Sequence, residues 1–124
     1  MTKFLSLVFF WLIAAHAGAT SASVQFPLTF AGTLPCASCE GIETRITFQA
    51  DSTYFMTQTY LGQAGPNRAS DLGRWVMSSY GNIAVLKGQR GDVRYFRMDL
   101  PNALHMLDIE GRTIYSKLNY TLSR

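Results

Sequence analysis

The chain has 124 residues, 11 Lys and Arg against 8 Asp and Glu, and 2 Cys. Its length suits one domain, and a net charge of +3 gives no basic tract of the kind that nucleic acid or an anionic membrane selects. Tyr and Phe alternate with Thr, Arg and Gln through most of the sequence, a composition that favours strands.

The first element in chain order is a leader. Lys3 supplies a positive start, Phe4 to Ala15 is apolar but for Ser6, and Ala15-His16-Ala17 and Ala17-Gly18-Ala19 both offer small-residue cleavage sites. That order predicts a secretory signal peptide over residues 1–19 and a mature domain over 20–124. The apolar run is too short for a membrane anchor, which needs roughly 20 residues. No Cys lies near the cleavage region. The expected product is a soluble periplasmic protein without a stable membrane anchor. Removing Lys3 leaves the mature charge near +2.

Period-2 segments follow, separated by turn residues. Phe26, Leu28 and Phe30 share a face in the first, which ends at Pro35. Thr44, Ile46 and Phe48 share one in the second, and Asp51-Ser52 reads as a tight turn. A third strand is predicted over Thr53 to Leu61, with Tyr54 and Met56 opposite Phe55, Thr57 and Thr59. Gly62 to Ser70 reads as the longest loop. Strand four runs near Leu72 to Ser78, with Trp75 and Met77 on one face. Gly81-Asn82 and Gly88 to Gly91 are turns around Ile83 to Lys87. Asp92 to Asp99, Ala103 to Asp108 and a last strand or strand pair over Thr113 to Leu122 complete the pattern. About eight short strands with short connections predict an all-β fold, an antiparallel up-and-down barrel that closes its own edges.

The chemically conspicuous feature is Cys36-Ala37-Ser38-Cys39, between the first two strands. An exported pair of thiols at this spacing has three fates. It forms a disulfide, because the compartment is oxidising. It binds a soft metal, and two thiolates suit Cu(I); zinc needs four ligands, so beyond Cys36, Cys39 and His105 it would need a carboxylate such as Glu40 as well. Or it catalyses thiol exchange, for which the first Cys belongs at a helix N-terminus; a strand-like alternation too soon after Cys39 leaves no room for one. Met98 and Met106 are possible assisting thioethers, read first as core residues, and His105 is read first as a strand-face imidazole. Arg90-Gly91-Asp92 is an ordinary hairpin turn, and Glu40 and Glu43 are read as a solvated rim. No nucleophile motif or phosphate loop appears, so no enzyme activity is expected.

Gly32-Thr33-Leu34-Pro35-Cys36-Ala37-Ser38-Cys39-Glu40-Gly41-Ile42 resembles the opening of the NlpE N-terminal domain family. The likeness continues through Thr53-Tyr54, Tyr60-Leu61-Gly62, Gly73-Arg74-Trp75, Leu104 to Gly111 and Asn119-Tyr120-Thr121-Leu122. The resemblance implies a lipocalin-like β-barrel. It also implies a non-enzymatic role in copper resistance or in envelope-stress and redox sensing, with Cys36 and Cys39 as the Cu(I) ligands or a disulfide. The implied partner is an envelope-stress sensor kinase or another periplasmic protein. Family lipoproteins carry a lipidated Cys and a second β domain; this chain is expected to act as one domain without either. The alternating aromatic faces give a second expectation, a lipocalin-like binder of a small apolar ligand, and the C-x-x-C a third, a thiol–disulfide oxidoreductase.

Overall fold

The computed structural model describes residues 24–124. The predicted signal peptide lies outside them. Eight strands form a closed antiparallel barrel in sequential order: β1 Leu28–Leu34, β2 Gly41–Phe48, β3 Thr53–Leu61, β4 Arg68–Met77, β5 Ile83–Gly88, β6 Val93–Asp99, β7 Ala103–Met106 and β8 Thr121–Ser123. No helix occurs among the described residues.

Period-2 patterning dictates the inner wall. Leu28 and Phe30 of β1, Ile46 and Phe48 of β2, Tyr54 and Met56 of β3, Leu86 of β5, Phe96 and Met98 of β6, Leu104 of β7 and Leu122 of β8 form one buried cluster. Register carries the pattern from strand to strand, with Phe30 opposite Ile46, Ile46 opposite Met56 and Leu104 opposite Leu122. Burying each large side chain contributes about 1.5–3 kcal/mol. These side chains occupy the inner face on which the aromatic alternation suggested a small apolar ligand.

Up-and-down order sorts the connections. Residues 35–40, 62–67, 89–92 and 107–120 lie at one rim, and residues 49–52, 78–82 and 100–102 at the other. β1 starts and β8 ends at the second rim, where the Arg124 amide donates to the Asn102 carbonyl. Phe26 stacks at 5.7 Å on Trp75, which packs edge-to-face on Phe48 at 5.2 Å and donates its indole N–H to the Gln49 carbonyl. These aromatic rings close the second rim.

Three boundaries depart from the expected ones. β4 begins at Arg68, inside the predicted loop, because Arg68 to Ser70 pair with Thr57 to Thr59. The predicted closing strand over Thr113 to Leu122 shrinks to Thr121–Ser123 and a single bridge between Leu107 and Thr113. Trp75 is half-buried, whereas Met77, expected on the same face, is exposed near the end of β4.

Polar groups share the interior. Thr44 and Gln58 are buried. Tyr54 donates its hydroxyl to Asp71 at 2.7 Å. Arg94 carries a buried Nε without a partner among the described residues. Burial first, then the hydrogen bond to Asp71 and the charge of that carboxylate, raise the Tyr54 ionisation well above its ordinary value of 10.0. The unfolded chain therefore loses this proton first. The contribution is complete below pH about 10 and falls as pH climbs toward the folded value. Tyr54→Phe is expected to cost about 1.5–3 kcal/mol at neutral pH, the range for a hydrogen bond to a charged group, and to flatten the alkaline loss of stability. Urea midpoints of both proteins at pH 7 and pH 11 check this.

Candidate functional site

β1 stops pairing with β2 after Leu34 opposite Ile42, and Pro35 opens the connection. Cys36 and Cys39 are joined by a disulfide with their Cα atoms 5.3 Å apart. Ala37 and Ser38 stand exposed at the tip, and both cysteines are half-buried. The connection is anchored on both flanks. The Glu40 amide donates to the Leu61 carbonyl at 3.1 Å, fastening it to the end of β3. Asn119 Nδ2 donates to the Thr33 carbonyl at 3.4 Å, tying residues 107–120 to the end of β1. Gly41 returns the chain into β2 at φ 157°, where a Cβ would meet Thr33 Cγ2 at 2.7 Å. A side chain at position 41 would displace the Thr33 methyl, while the nearest backbone atom, the Leu34 carbonyl oxygen, lies 3.6 Å away.

Cys39 Sγ lies 3.3 Å from the Gly41 carbonyl oxygen, where a reduced thiol can donate. The loop is so short that its cross-link contributes about 2 kcal/mol in the chain-entropy account. Opening it removes little of what holds the barrel, whose core lies elsewhere. No helix begins after Cys39; Gly41 opens a strand. The macrodipole that lowers the attacking thiol's pKa in helix-mounted C-x-x-C motifs has no counterpart at this rim.

The other candidate ligands do not join the pair. Met98 is sealed in the core toward the opposite end of β6, and Met106 packs against the core from β7. His105 is engaged by Thr121 Oγ1 at 2.9 Å and faces Asp99 Oδ2 at 3.4 Å. Glu40 lies over Gly62, while Glu43 stands exposed on β2. Among the described residues no three or more His, Cys, Asp or Glu side chains converge. A four-ligand zinc centre does not fit this donor set; two thiolates for Cu(I), once reduced, do. The interior Tyr54–Asp71 pair was not singled out from sequence. Its only signal was Asp71 two residues before Gly73, on the inward phase of β4.

These features define a small closed antiparallel barrel carrying a disulfide-linked C-x-x-C on its first rim connection. Residues 30–117 match the family model described as the NlpE N-terminal domain. The curated Lipoprotein NlpE of Escherichia coli strain K12 is 40% identical over 97 residues, covering 77% of this chain and 40% of the relative. The crystal structure of the Cpx pathway activator NlpE from Escherichia coli matches with a TM-score of 0.64 and 39% identity, over 79% of this chain and 50% of that one. A crystal structure from Shewanella oneidensis, described as a lipoprotein, matches with a TM-score of 0.66 and 33% identity, over 82% of this chain and 90% of that one. The chain belongs to the NlpE N-terminal domain family. It spans about 40% of the length of its curated relative.

Proposed function

We propose that this chain is a non-enzymatic periplasmic protein of the bacterial envelope that handles copper or senses redox state through Cys36 and Cys39, and contributes to envelope-stress signalling. The observation that carries the reading is the placement of the disulfide. It sits on a short rim connection, outside the core and anchored at both flanks, so it can open while the barrel stays folded. Oxidised, the pair offers no thiolate. Reduced, it offers two soft ligands suited to Cu(I). The family's Cpx pathway activator supports an envelope-stress sensor kinase, or another periplasmic protein, as the partner that reads this state. Export into an oxidising compartment agrees with the closed disulfide.

Titrating the reduced protein with Cu(I) against a competing chelator tests the copper part. The expected result is one equivalent bound by the wild type and at least a hundredfold loss of affinity in the Cys36→Ser/Cys39→Ser double variant. Equal affinity in the two proteins would remove copper from the reading and leave redox sensing, which an envelope-stress reporter in cells carrying the double variant addresses.

A further inference from the structure

We propose that the chain binds a small oxyanion of the phosphate type in a pocket on the outside of the barrel, beneath residues 113–118. The pocket starts from register. Arg97 of β6 pairs with His105 of β7, and His105 pairs with Thr121 of β8, which places three polar side chains in one row across neighbouring strands. Adjacent strands are about 4.8 Å apart, so such a row spans roughly 10 Å. The connection between β7 and β8 folds back over this row and brings Thr113, Ser116 and Tyr120 to it. The space between these side chains is about 210 Å³ and opens to solvent at Thr113 and Ser116. That is below the roughly 300 Å³ at which pockets for drug-sized ligands begin, and it suits a small ion.

The donors are free and point to an anion. Arg97 is half-buried and has no carboxylate partner among the described residues; its one side-chain bond is a long one, from Nη1 to Thr113 Oγ1 at 3.4 Å. Thr113 Oγ1 accepts that bond, which leaves its own O–H to donate. Ser116 Oγ accepts from the Leu118 amide at 3.1 Å and likewise keeps its O–H. No Asp or Glu lines the pocket. The one carboxylate that touches the row, Asp99, is held on the Nε2 side of the imidazole. With Nε2–H turned to Asp99, Nδ1 accepts from the Thr121 hydroxyl, so His105 and Thr121 satisfy each other and form the wall. An arginine fork with two hydroxyl donors and no acid among the lining residues is the donor set that tetrahedral oxyanions select.

The experiment is a two-dimensional amide NMR titration of the purified chain with inorganic phosphate, at ionic strength held constant with chloride. Saturable shifts are expected at Thr113, Ser116 and Thr121, with sulfate competing. Arg97→Gln should weaken binding at least tenfold, whereas Arg90→Gln, in the turn between β5 and β6, should leave it unchanged. If Arg97→Gln perturbs the fold, Thr113→Val and Ser116→Ala serve instead, each expected to weaken binding several-fold. Phosphatidylglycerol vesicles form the second arm. Binding to vesicles but not to free phosphate would assign the surface to a membrane headgroup and overturn the soluble-ion proposal. Chloride reproducing the phosphate shifts, or Arg97→Gln binding as the wild type does, would overturn the site itself.

Discussion

Gly73→Ala is expected to lose about 3 kcal/mol or more of stability, at or beyond the upper end of what overpacking costs. Gly73 sits in β4 between Tyr54 of β3 and Gly88 of β5. A Cβ built there falls 2.1 Å from the Lys87 carbonyl oxygen, 2.7 Å from Tyr54 Cε1 and 2.9 Å from Gly88 Cα. Two of these three obstacles are backbone, so no rotamer change relieves them. The third belongs to the ring whose hydroxyl binds Asp71, so moving it breaks that bond as well. Gly32→Ala is the control. Its Cβ meets Leu122 Cδ2 and the Thr121 carbonyl at 3.2 Å, a contact that shifts of a few tenths of an ångström relieve, and about 1 kcal/mol is expected. Urea denaturation with an unchanged m-value measures both. For a domain of this size the melting temperature of Gly73→Ala should drop by roughly 12 °C or more.

Phe48→Ala should cost about 3–5 kcal/mol, the range for truncating a buried aromatic residue. Phe48 is 0% exposed and holds two edge-to-face partners, Phe30 at 6.1 Å and Trp75 at 5.2 Å. Through Trp75 it also supports the ring stack that closes the second rim, so the cavity opens where that closure depends on it. Phe55 provides the contrast. It points outward from β3 toward Leu72, 39% exposed, and Phe55→Ala should cost about 1 kcal/mol or less, the scale of one cross-strand pair. A difference below 1 kcal/mol between the two variants in urea melts would mean that Phe48 is not in the core.

The sequence disclosed much of this arrangement wherever alternation coincided with burial. β3 runs over the predicted Thr53–Leu61, and Tyr54 and Met56, expected together on one side, are the buried ones. Alternation fails where both faces of a strand are wet. Arg68, Ala69 and Ser70 are exposed at the rim, so β4 begins in a stretch with no apolar period to announce it. It misleads where side chains take over the backbone's hydrogen bonds. Within the expected closing strand, Ser116 accepts from the Leu118 amide, so that donor is spent locally and the ladder begins only at Thr121. Tyr115 and Leu118 therefore stay exposed rather than entering a sheet.

The candidate site divides along similar lines. The C-x-x-C announced itself because its chemistry lies within four residues, and the structure joins the pair in a disulfide. Asp71 beneath Tyr54 and Arg97 beside His105 and Thr121 were hidden. Each depends on the register between neighbouring strands, which local pattern does not encode. The same dependence explains why Met98, a plausible sulfur ligand by composition, is a core residue: its β6 phase points inward opposite Leu104.

The chain enters the barrel at Leu28 and leaves it beyond Ser123 at one rim, while Cys36 and Cys39 occupy the other. Whatever is attached at either terminus, whether a tether, a surface or a second folded unit, therefore holds the barrel from behind. The strands act as a short stalk that presents the disulfide at the far tip, facing away from the point of attachment. The disulfide is reached from that tip without passing the attachment.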